Sequence, residues 1–79
     1  MHIGKDVKIG HNVTIRTTSK KNKPGQDVKI HDNVWLGNNV FVCQGVTIGT
    51  NATIGANSVV THNVPADETW AGCPARKIK

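Results

Sequence analysis

Seventy-nine residues make one small domain at most, and a chain near this size buries only about 60% of the surface its unfolded form exposes. Hydrophobic residues are 37% of the chain and aromatics 4%, with one Phe, two Trp and no Tyr; this excludes an aromatic-centred core and leaves small and β-branched aliphatics to build one. Ten Lys and Arg against five Asp and Glu give +5, which suits phosphate-bearing partners, while no apolar run approaches the ~18 residues of a membrane helix.

Along the chain, Ile3, Ile9 and Ile15 stand six residues apart, with Val7 and Val13 two residues before the later two. The next large aliphatic in phase is Ile30, fifteen residues after Ile15 where six would continue the pattern. The excess of nine predicts an excursion loop near residues 20–27, and Lys20-Lys21-Asn22-Lys23-Pro24-Gly25-Gln26 has the charge and turn composition for it. From Ile30 the period resumes through Leu36, Val42, Ile48, Ile54 and Val60, each preceded two residues earlier by Val28, Val34, Val40, Val46, Ala52 or Ser58. A spacing of two places both residues on one face of a strand. The density of Val, Ile, Thr, Asn and Gly opposes helix, and no 3.6-residue stripe exists.

One short strand and one turn per six residues make a coil of three units, a triangular prism whose coils stack as parallel strands. Side chains eighteen residues apart then form ladders: Ile30 on Ile48, Leu36 on Ile54, Val42 on Val60, Val34 on Ala52 and Val40 on Ser58. Nine units make about three coils and leave unpaired backbone at both ends, which end-caps or oligomerisation must cover. The repeat occupies residues 1–65; residues 66–79 are expected to fold as a tail over the last coil, anchored by Trp70 and Ile78. Cys43 and Cys73 fit neither a disulfide framework nor a zinc spacing. With no secretory apolar segment, the expected compartment is the cytoplasm.

The segments Ile30-His31-Asp32-Asn33-Val34-Trp35-Leu36-Gly37, Gly45-Val46-Thr47-Ile48-Gly49, Ile54-Gly55-Ala56-Asn57-Ser58-Val59-Val60-Thr61 and Ala71-Gly72-Cys73-Pro74-Ala75-Arg76-Lys77-Ile78 resemble the hexapeptide-repeat acyltransferases. The likeness is nearest to the maltose, galactoside and serine O-acetyltransferase branch and to the C-terminal part of such enzymes. It implies an all-β, left-handed parallel β-helix, a handedness that the general right-handed rule for parallel crossovers would not have given. It also implies a homotrimer that binds acetyl-CoA in a groove between neighbouring prisms, with no metal, nucleic acid or membrane partner. An acceptor hydroxyl or amine on a sugar or small polar metabolite would attack the thioester while a histidine takes its proton.

Many relatives carry that histidine at the excursion loop after a Thr-x-Ser-like stretch, where this chain has Thr17-Thr18-Ser19 and then Lys20. A lysine among lysines is mainly protonated and makes a poor base. The resemblance therefore shifts the catalytic expectation to His11, a corner position that carries the base in N-acetyltransferases of the same fold; its plainer alternative is a solvated corner histidine. If the excursion starts after Ile15, His11, Asn38 and Ala56 form one surface column. By the same resemblance the cofactor-binding residues are Trp35, Ala56, Thr61, His62, Arg76 and Lys77, with Arg76 in a tail lying near Thr61. Trp35 could equally cover an exposed aliphatic corner, and the basic tail could be a solvated end. His31 is a lesser candidate near the excursion loop, and His2 is uninformative.

Two other functions compete. A catalytically degenerate hexapeptide-repeat protein would keep the prism, with or without CoA binding. A γ-class carbonic anhydrase-like enzyme shares the prism, yet the closely spaced histidine pair it needs is absent, because Arg16 stands five residues after His11. No stacking aromatics interleave the basic residues as single-stranded nucleic acid would require.

Overall fold

A computed structural model of the chain describes residues 1–16 and 27–79; the excursion segment expected near 20–27, apart from Asp27, and Lys20 lie outside them. The nine two-residue strands of the repeat visit three sheets in strict rotation. The first face holds β1 (His2–Ile3), β4 (Lys29–Ile30) and β7 (Thr47–Ile48). On the second lie β2 (Lys8–Ile9), β5 (Trp35–Leu36) and β8 (Thr53–Ile54), and on the third β3 (Thr14–Ile15), β6 (Phe41–Val42) and β9 (Val59–Val60). All these pairings are parallel, and the described residues include no helix. The molecule is a three-sided parallel β-helix.

The registers carry the arithmetic of the sequence. Ile30 pairs with Ile48, Leu36 with Ile54 and Val42 with Val60, and all six side chains are buried. Between the first and second coils the step is instead 27 residues on every face, as in Ile3 with Ile30, Ile9 with Leu36 and Ile15 with Val42. That is eighteen plus the nine-residue excess, so the insertion leaves the stacking phase intact. The last step shortens to sixteen: Val64 bridges Ile48, and β10 (Thr69–Gly72) pairs with β8 through Thr69–Thr53 and Trp70–Ile54. The chain then reverses, and β11 (Ala75–Lys77) runs antiparallel to β10 at the edge of the second face.

Corners are turned by residues in the left-handed region, at φ between 57° and 65°: Asp6, Asn33, Asn51 and Asp67 at the first corner, Asn12, Asn39 and Asn57 at the second. Asn and Asp visit this region at least cost among residues with a side chain, which explains the six-residue recurrence of Asn. Their amides also stack, Asn33 Nδ2 donating to Asn51 Oδ1 at 2.7 Å, Asn51 Nδ2 to Asp67 Oδ1 at 2.9 Å and Asn39 Nδ2 to Asn57 Oδ1 at 3.1 Å. Gly37 is required for another reason, since a Cβ there would stand 2.8 Å from the Ala56 nitrogen in the coil above.

Two expectations about burial change. Stacking does not bury every anchor: Ile3 and Ile9 remain 40% and 47% exposed, because the first coil has no coil beneath it. Ile78 does not anchor the tail and is 58% exposed. Trp70 does pack against the core, above Ile54, with its Nε1 donating to Glu68 Oε1 at 2.9 Å. The buried Ser58 stands in the Val40 ladder and is fully satisfied: its hydroxyl donates to the Gly55 carbonyl at 2.7 Å and accepts from the Gly72 amide at 3.0 Å. It ties the tail to the second corner.

Candidate functional site

Register decides where each candidate lies. Because Ile9, Leu36 and Ile54 are stacked, the residues two positions further on, His11, Asn38 and Ala56, form a column at the second corner, between the second and third faces. Backbone bonds confirm the stacking: Asn39 N–H donates to the His11 carbonyl and Asn57 N–H to the Asn38 carbonyl, both at 2.8 Å. The His11 amide is held in turn by Asn38 Oδ1 at 2.7 Å. His11 and Ala56 are both exposed, so the column is open to a ligand.

The tail reaches this corner from above. Arg76 pairs with Ala71 across β10 and β11, and Ala71 Cβ lies 2.9 Å from where a Gly55 Cβ would stand, next to Ala56 in the chain. Lys77 lies opposite Trp70 and forms an ion pair with Glu68 at 3.6 Å. On the outer side of the second face, Lys8, Trp35, Thr53 and Thr69 make one column, with Trp35 57% exposed and Lys8 Nζ 5.5 Å from its ring centroid. This cation–π contact escaped the sequence reading, although the 27-residue offset that stacks His11 under Asn38 also stacks Lys8 under Trp35. The holding role of Asn38 was missed for a different reason: nothing in the residue type says whether a corner amide faces solvent or a neighbouring backbone.

Thr61 and His62 lie elsewhere. They follow β9 at the third corner, between the third and first faces, with Thr61 Oγ1 2.9 Å from His62 Nδ1. The structure therefore does not bring Arg76 to Thr61, as the tail was expected to; the third face separates them, because the tail reverses on the second face instead of crossing the last coil. His31 stands at the first corner, away from the third, where the excursion leaves. Among the described residues no acid stands on the second corner, whereas Asp6, Asp32 and Asp67 cluster at the first. Anions are thus favoured along the His11, Ala56 and Arg76 edge. No cluster of three His, Cys, Asp or Glu able to hold a metal occurs among the described residues, nor does a helix long and apolar enough to cross a membrane.

A family profile described as bacterial transferase hexapeptide (six repeats) matches residues 27–62. Several solved structures superpose on nearly the whole chain. A hexapeptide-repeat acetyltransferase from Vibrio cholerae O1 biovar eltor, complexed with acetyl coenzyme A, is 37% identical with a TM-score of 0.87, the match covering 98% of this chain and 47% of that one. A galactoside acetyltransferase in complex with coenzyme A is also 37% identical with a TM-score of 0.87, over 98% of this chain and 43% of its own. Soybean serine acetyltransferase, as the apoenzyme, is 38% identical with a TM-score of 0.81, over 91% of this chain and 29% of its own. The chain spans less than half the length of each of these relatives. Comparison with curated proteins gives no significant match.

Proposed function

Since this chain belongs to the hexapeptide-repeat acyltransferase family of left-handed parallel β-helix proteins, we propose that it is an acetyl-CoA-dependent O- or N-acetyltransferase acting on a sugar or small polar metabolite. The observation that carries this reading is the acid-free second corner, where His11, Ala56 and Arg76 stand together beside the exposed Trp35. Acetyl-CoA is a polyanion with a long, partly apolar arm. Arg76 holds its phosphate oxygens in a two-pronged geometry, Lys77 assists from its pair with Glu68, and the Trp35 indole lies along the arm. The working unit is a homotrimer with the donor in a groove between prisms, and the free thiols Cys43 and Cys73 agree with a cytoplasmic setting.

His11 acts as the general base. Its imidazole takes the proton from the acceptor O–H or N–H as the acceptor oxygen or nitrogen bonds to the acetyl carbon. Collapse of the tetrahedral intermediate breaks the carbon–sulfur bond, and the proton passes to the departing thiolate. Asn38, through its bond to the His11 amide, fixes the backbone from which the imidazole projects.

Mass-shift detection of acetyl transfer across a panel of sugars and small amines tests this directly. His11→Ala is expected to lower the rate by about 10²- to 10⁴-fold, the usual contribution of a general base, and by more than His31→Ala or His62→Ala. Unchanged transfer in His11→Ala would move the base elsewhere. A second reading, a CoA-binding protein without catalysis, is favoured by Lys20 at the position where many relatives carry the base. CoA binding without transfer to any acceptor would select it.

A further inference from the structure

The residues assigned to CoA are divided between two corners of one chain, His11, Ala56 and Arg76 at the second and Thr61 and His62 at the third. The face between those corners is β3, β6 and β9, and its outer side differs from the other two. Alternation along each strand turns Ile15, Val42 and Val60 inward and Thr14, Phe41 and Val59 outward, in one stacked column. That column is uncharged and carries two large apolar side chains. The outer column of the first face is His2, Lys29 and Thr47, and that of the second includes Lys8.

We propose that the third face seats further copies of this chain, three prisms closing around an axis parallel to the stack with their Phe41 and Val59 side chains turned toward it. The occupant follows from charge and from the divided site. Each copy carries +5, so copies approach at least cost through a face that holds no charge. A triangular prism that turns one face to a threefold axis sets its second corner against the third corner of its neighbour. His11, Ala56 and Arg76 of one copy then face Thr61 and His62 of the next, and the divided site closes only between copies. The assignment of those residues rests on the acetyl-CoA reading above; the packing face rests on the apolar column alone.

The two parts are tested separately with the full chain. Light scattering of the wild type should report three copies per particle, and Phe41→Glu and Val59→Lys should each lower it to the 8.5 kDa single chain. Lys29→Glu, on the first face, should leave the trimer intact. Circular dichroism identifies a variant that has merely unfolded, and either of the two third-face variants suffices if folded. A wild-type monomer, or a trimer that survives both third-face variants and dissociates with Lys29→Glu, overturns the proposal. For the divided site, Arg76→Ala and a Thr61→Ala/His62→Ala variant, each weakened in CoA binding by calorimetry, are unfolded and refolded together. Mixed trimers should regain tight sites at about two in nine of the total, since such a site needs an unaltered corner from each of two neighbours. No recovery in a trimer dissociated by the third-face variants would place the site within one chain and overturn the division. A trimer of the expected face in which wild type binds no CoA would leave the packing standing and refute the acetyl-CoA reading.

Discussion

Arg76 shows how a single residue gains a role from its neighbours. It is exposed, opposes Ala71 across an antiparallel pair, and stands above a corner without acids. Replacing it with Ala should weaken CoA binding by roughly 1 to 3 kcal/mol, the scale of a charge-assisted hydrogen bond, with Arg76→Lys restoring part of the loss. The melting temperature without ligand should hardly move, because an exposed side chain contributes little to the fold. Calorimetry finding equal affinity in wild type and Arg76→Ala would remove the residue from the site. Lys77 is the weaker phosphate ligand of the two, since Glu68 already competes for its ammonium.

Among the elements, no strand of the repeat exceeds two residues, too short to be stable alone. Each is held by the coil above and below, through bonds such as Lys29 N–H to the Val46 carbonyl and His31 N–H to the Ile48 carbonyl, both at 3.0 Å. Stability therefore resides in the ladders. Ile48 sits between Ile30 and Val64 with no exposed surface. Ile48→Asp would place an unpaired carboxylate in a dry core at a cost comparable with the whole stability of a small domain. Loss of the β-sheet signal in circular dichroism is the expected result; a cooperatively folded Ile48→Asp protein would contradict the ladder.

At the scale of the whole molecule, the two ends of the stack differ. The tail closes the upper end, where Trp70 lies over Ile54 and Ala75 is buried, while the lower end leaves Ile3 and Ile9 open. Substitutions along one column should therefore scale with height. Leu36→Ala, in the middle, should cost about 2 to 5 kcal/mol, and Ile9→Ala, directly below it, less than about 2 kcal/mol, because half its surface is already in water and no closed cavity forms. Urea unfolding measures both, and equal losses would mean that the lower end is covered in solution.

The repeat determined the coil. A period of six with a small residue two places before each anchor admits one parallel stacking that buries the anchors, and the nine-residue excess after Ile15 fixed the step of 27 that places His11 under Asn38 and Ala56. Those relations are local and periodic, so they are written in the order of residues. The tertiary structure decided what breaks the period: the sixteen-residue last step, the reversal at β11 that puts Arg76 beside Ala56 instead of Thr61, and the exposure of Ile3, Ile9 and Ile78. These depend on which surfaces find a neighbour at the ends of the stack. A spacing rule counts residues within the repeat and is blind to where the stack stops.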